Sequence, residues 1–136
     1  MKILISSSQT IAAVQEAFQE AYPYLKLVFF TKPHRAFKGS PAKYLVQDRE
    51  QKLGDIIKPL KEGALYLEPE MPTWQVERLF EEEFGLHVQV FRKSGNTWLE
   101  TSVTDDLSLE QQNAKGKASE HIHFEFIDPI DYREQE

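Results

Sequence analysis

"TIAAVQEAFQEAYPYLKLVFF", residues 10–30, places Ile11, Val14, Phe18, Ala21 and Tyr22 at helical spacing and then turns to strand-like alternation. A later stretch, "PTWQVERLFEEEFGLHVQVF" (72–91), has the same form. Val76 and Phe80 align with Val14 and Phe18, Phe84 aligns with Tyr22, and Leu79 completes the second apolar stripe. Ser8 and Thr73 are the expected N-caps, since a hydroxyl can accept the unpaired amides of a first turn. Pro23 and Gly85 mark the two helix ends. A short apolar strand precedes each helix, "KILIS" (2–6) and "ALYLE" (64–68), and "LKLVFFT" (25–31) and "HVQVFR" (87–92) follow.

Two strand–helix–strand units in succession form an internal repeat. They predict an α+β fold, a two-layer sandwich with both helices on one face of a mostly antiparallel sheet. Ferredoxin-like order is the leading topology, and two locally parallel βαβ units are the rival. The whole chain, 1–136, reads as a single α+β domain. Residues 32–51 are expected to form a long irregular loop, punctuated by Pro33, Gly39, Ser40 and Pro41, and 129–136 a flexible tail. "KLGDIIKPL" (52–60) suits one helical turn ended by Pro59. "SLEQ" (108–111) has capping-box spacing, which starts a further helix near residue 109 that Gly116 weakens or ends. "HIHFEFIDP" (121–129) alternates like a final strand.

Composition narrows the function classes. Hydrophobic residues are 40% and charged residues 28%, a globular balance. With no cysteine there is no disulfide, thiolate metal site or cysteine nucleophile. The opening "MKILISSSQT" has too short an apolar run for a signal peptide, and a cytoplasmic location is the default expectation. Net charge is −6, which disfavours nucleic acid and anionic membrane as bulk electrostatic partners. The charge is unevenly spread. Residues 21–47 contain no acid but carry Lys26, Lys32, Arg35, Lys38 and Lys43, while residues 120–136 carry six acids against Arg133. Charge runs of this kind ordinarily solvate a surface or neutralise one another.

"FGLHVQVFRKSGNTWLETSVTDDLSLEQQN" (84–113), preceded by "KLGDI" (52–56), resembles an uncharacterised group of short bacterial proteins. The resemblance covers under half of the chain. It implies a shared small α+β domain and supplies no activity, cofactor or partner.

Within that stretch, "VFRKSGNTWLE" (90–100) is a hairpin turning at Ser94-Gly95 or at Gly95-Asn96. Val90 then lies opposite Leu99 or Thr101, with the same parity either way. Val88, Val90, Leu99, Thr101 and Val103 share one face, the expected core side. His87, Gln89, Phe91, Lys93, Trp98 and Glu100 share the other. Exposed, Phe91 and Trp98 would serve as interface anchors or as a base-stacking platform. The expectation is instead that they are covered, because Leu107, Leu109, Ile122, Phe124 and Phe126 also need burial. A third helix or a final strand over that face would satisfy both.

Three further constellations have a bland reading beside the sharp one. His121, His123 and Glu125 would line one side of a strand as metal ligands, but more simply form its polar face. Asp105 and Asp106 pair as acid and base or hold a cation, but more simply cap the following helix. "TKPHRAFKGSPAKY" (31–44) mixes Lys32, Arg35, Lys38 and Lys43 with Phe37 and Tyr44, which suits phosphate contacts, but it is also an ordinary surface loop. No glycine-rich nucleotide motif is present, no cofactor is implied, and no nucleophile, base and oxyanion-hole set assembles. The expected function is therefore a small non-enzymatic domain acting through contact with a protein partner or with itself. Its candidate binding residues are Phe91, Lys93, Trp98, Lys32, Arg35, Lys38 and Lys43. Single-stranded nucleic acid binding through the same residues is the alternative, and a metal-assisted hydrolase a distant third.

Overall fold

The computed structural model describes residues 1–32 and 42–125, with side chains through Glu120. In chain order the elements are β1 (Lys2–Ile5), α1 (Ile11–Ala21), β2 (Leu25–Phe30), α2 (Leu53–Ile56), β3 (Gly63–Tyr66), α3 (Thr73–Phe84), β4 (His87–Ser94), β5 (Thr97–Glu100) and α4 (Leu109–Glu125). Two antiparallel sheets, β1-β3 and β2-β4-β5, form the strand layer of an α+β sandwich. Among the described residues no helix is long and apolar enough to cross a membrane.

The strands that precede the two long helices pair with each other, Ile3 opposite Leu65. Those that follow them pair likewise, Leu27 opposite Val90 and Phe29 opposite Val88. A ferredoxin-like order would instead join the second strand to the third in a hairpin. The pairing found here has a simple physical basis. Leu25, Leu27, Phe29, Val88 and Val90 are all buried, so laying β2 against β4 merges two apolar rows into one floor. The helices close over it. Val14 and Phe18 of α1, and Val76 and Phe80 of α3, join the same core cluster, with Phe29 and Phe80 meeting edge-on at 6.3 Å.

The helix ends depart from expectation in instructive ways. The N-cap of α1 is Thr10, whose Oγ1 accepts from the Ala13 amide at 3.2 Å. Ser8 lies outside the helix, because neighbouring Ser7 is tied to other elements. Its carbonyl accepts from the Gly54 amide, and its own amide donates to the Glu62 carboxylate. Thr73 is not a cap but the first residue of α3, and its hydroxyl donates to the Leu107 carbonyl. Backbone carbonyls of Leu107 and Asp105 take the first amides of that helix. Gly85 ends α3 in the left-handed region at φ 67°, as expected. At α4 the capping box is present, Ser108 and Gln111 each accepting the other's amide.

Gly116 does not end α4. The helix continues through Glu125, so the strand expected from residue 121 is not formed there. A Cβ at position 116 would stand 2.7 Å from the Tyr24 Cβ, so the missing side chain is what lets α4 lie close on the sheet. Extending a formed helix adds one hydrogen bond per residue fixed, whereas a new strand needs a free edge to pair with. Alternation over a few residues does not outweigh that.

Candidate functional site: a groove on the open face of the sheet

The hairpin turns at Gly95-Asn96, with Ser94 opposite Thr97 and Gly95 at φ 60°. Val90 is thereby level with Thr101, whose amide donates to the Val90 carbonyl. Val88, Val90 and Thr101 are buried as expected, but Leu99 is 40% exposed and Val103 80%. The cause is local. β5 stops at Glu100 and residues 102–104 form a 3₁₀ turn, so strand parity no longer governs Val103. Beyond β5 the Glu77 carboxylate takes up the pairing. Its Oε2 accepts from the Val90 amide at 2.9 Å and from the Gln89 side chain at 3.0 Å.

On the opposite face, Lys26, Val28 and Phe30 of β2 run beside Phe91 of β4 and Trp98 and Glu100 of β5. The described part of α4 does not cover this face. Gln112 accepts from the Arg92 guanidinium, and Gly116 packs against the Arg92 side chain, which points the other way from Phe91. The expected cover is thus not supplied by residues 109–120, while the side chains of Ile122 and Phe124, and the whole of Phe126, lie outside the described residues. α4 goes to the other side because Arg92, Gln112 and Gly116 dock there, a pairing that no local pattern announces.

Part of the long loop pairs along the free edge of β2, beside this face. Residues 42–44 form a 3₁₀ turn, Leu45 bridges to Phe30, the Val46 amide donates to the Phe29 carbonyl and the Thr31 amide to Tyr44. The segment then crosses to α1, where the Arg49 and Gln51 carbonyls accept the Ala12 and Ile11 amides. Between this segment and the sheet lies a groove of ≈ 730 Å³. Val28, Phe30, Phe91 and Trp98 line it from the sheet, Ala42, Leu45 and Val46 from the paired segment, and Gln15, Gln19 and Gln47 also border it. A concave, mostly apolar site with a few convergent polar groups is the usual form of a binding site.

Among the described residues the charges lining the groove are Lys26, Arg49 and Glu100. The Lys26 ammonium lies 5.0 Å from the centre of the Trp98 ring, and that of Lys93 lies 5.4 Å from it. Burial, and then the nearby Arg49, hold the Lys26 pKa below the ordinary lysine value. Arg49 is aimed by a relay. Gln15 donates to the Leu27 carbonyl at 2.8 Å, and its Oε1 accepts from the Arg49 Nε at 2.7 Å. Lys32 and Lys43 both lie 5.1 Å from the centre of the Tyr44 ring, next to the Ala42 and Leu45 wall.

Of the candidates named from the sequence, Phe91 and Trp98 line the groove, Lys93 adjoins it through Trp98, and Lys32 and Lys43 sit beside its wall. Arg35 and Lys38 lie outside the described residues. At His121, His123 and Glu125 the backbone is helical, so the period-two row that made them a candidate ligand set does not apply. Their side chains lie outside the described residues. Asp105 is buried while Asp106 is exposed, and the Asp105 carbonyl caps α3. Among the described residues no cluster of three potential metal ligands occurs.

Lys26, Arg49 and Gln15 were not singled out as site residues. Alternation in "LKLVFF" does place Lys26, Val28 and Phe30 together, opposite Leu25, Leu27 and Phe29. Nothing local places Arg49 or Gln15 beside them. No protein-family model matches the sequence, and no curated protein or solved structure matches it significantly.

Proposed function

We propose that the chain is a small, cytoplasmic, non-enzymatic module that works through contact with a protein partner, and that the groove over Phe91 and Trp98 is its contact surface. The observation that carries this reading is the second face of the β2-β4-β5 sheet, where among the described residues no helix covers the half-buried Phe91 and Trp98. Two aromatic anchors lie there in a concave site with cations on its flank. Large rings bury much area at little entropic cost and dominate binding energy where they sit in a pocket. Among the described residues no side-chain set in the groove supplies a nucleophile with an adjacent base, so binding rather than turnover is the chemistry they support.

The test is a photo-crosslinking benzophenone in place of Trp98 in cells, with the same group at exposed Lys61 as control. A discrete protein adduct specific to position 98 is expected. Adducts alike at both positions, or none, would remove the reading. An adduct of twice the chain mass would assign the contact to self-association, which sedimentation would then confirm.

A second reading, single-stranded nucleic acid binding, is favoured by one observation. Lys32 and Lys43 gather on Tyr44 beside the groove wall, so basic groups do adjoin the aromatic face. A nuclease-sensitive adduct at position 98 would select it.

A further inference from the structure

We infer that the groove receives an acidic peptide segment of the partner protein, with a carboxylate seated between Lys26 and Arg49 and an apolar side chain beside it on Val28 and Phe91. This rests on the protein-contact reading above and adds the chemistry of the partner.

Local charge is the first ground. The chain as a whole is at −6, yet among the described residues Lys26 and Arg49 line the groove with Glu100, Lys93 lies against its Trp98, and Glu16 reaches one Arg49 terminal nitrogen from outside the lining. Glu100 is level with Phe91 across the β4-β5 ladder, at the Trp98 end of the site. The Lys26 ammonium rests over an aromatic ring, and in the shared groove burial first and then the Arg49 charge disfavour its charged form. An incoming carboxylate relieves that repulsion and gains two charge-assisted partners together.

Preorganisation is the second ground. The relay through Gln15 engages the Arg49 Nε, and at the terminal nitrogens an incoming carboxylate competes with one exposed ion pair. The nearest acid to them is Glu16, 3.9 Å from one terminal nitrogen and with both side chains well exposed. A guanidinium held by one edge offers the other as a fork that fits a carboxylate. Gln19 and Gln47 also line the groove, and an amide side chain offers both a donor and an acceptor, as a peptide backbone requires.

The same geometry favours peptide over nucleic acid. Lys26 and Lys93 both lie against the Trp98 ring, so a stacking base would have to displace an ammonium. A polyanion also meets the repulsion of the −6 chain, whereas a short acidic segment feels chiefly the groove, because screening acts over about 10 Å.

The experiment pans a library of random decapeptides on the full chain and measures recovered peptides by fluorescence anisotropy. Peptides that pair Asp or Glu with an aromatic or aliphatic residue are expected. Lys26→Gln and Arg49→Gln should each weaken them about tenfold, as loss of a charge-assisted bond does, while Lys61→Gln should not. Lys26 is half-buried and Arg49 exposed, and unchanged melting temperatures show that the variants fold. Peptides that are sensitive to Trp98→Ala but lack an acid, or that ignore Lys26→Gln and Arg49→Gln, would overturn the acidic class and leave protein contact standing. Absence of any Trp98-sensitive peptide would overturn both. Displacement of a recovered peptide by a single-stranded oligothymidylate of higher affinity would replace the peptide with nucleic acid.

Discussion

Gly116→Ala tests the packing of α4 through the sign of its effect. If the glycine were a weak point in an otherwise free helix, alanine would stabilise the protein by about 1 kcal/mol through helix propensity. The structure predicts the reverse. The new Cβ would stand 2.7 Å from the Tyr24 Cβ, 3.0 Å from the Tyr24 carbonyl oxygen and 3.3 Å from the Arg92 Cγ. Two of those atoms belong to or adjoin the backbone, so no flexible side-chain end can swing away. Relief requires α4 to lift, which strains the Arg92–Gln112 bond, the Asn113 acceptor for the Tyr24 amide and the Ser119 contacts at the hairpin turn. Overpacking of this kind costs about 2–3 kcal/mol. Set against the propensity gain, the net loss is about 1–2 kcal/mol, or roughly 3–8 °C in melting temperature for a domain of this size. Urea and thermal unfolding followed by circular dichroism measure it. A variant as stable as the parent, or more so, would refute the close approach of α4 to the sheet.

Other substitutions probe single bonds. Glu77→Ala leaves the Val90 amide and the Gln89 side chain without their shared acceptor in a buried site, and should cost about 3 kcal/mol in urea unfolding. Thr10→Ala should cost about 1 kcal/mol, while Ser8→Ala should cost little, since Thr10 is the N-cap of α1. Arg49→Gln should raise the Lys26 pKa part of the way back to its ordinary value, read by NMR of the ammonium, because burial, the larger cause, persists. The sign for stability follows. A lysine whose pKa is lowered by folding opposes folding while it is charged, and this penalty fades as pH rises through the lowered pKa towards that of the unfolded chain. In Arg49→Gln that pH dependence should shrink.

The stripe Val14-Phe18 and its counterpart Val76-Phe80, the alternation in β2 and β4 and the capping box at Ser108 are encoded within a few residues each. The sequence therefore determined the α+β class, the two long helices, the hairpin and the parity that sets Phe91 and Trp98 apart from Val90. Those features follow from backbone periodicity, which acts between neighbours along the chain. Which strand pairs with which was decided in the tertiary structure, where β2 finds β4 because their apolar rows merge beneath α1 and α3. The same holds for the groove. Lys26 meets Arg49 across a separation of 23 positions only because Leu45 and Val46 lie along β2 and carry the chain to α1. And the described part of α4 does not cover Phe91 and Trp98, because a glycine lets it settle on Arg92 instead. Contacts between distant segments depend on shape and on the whole set of competing burials, and no short stretch of sequence records them.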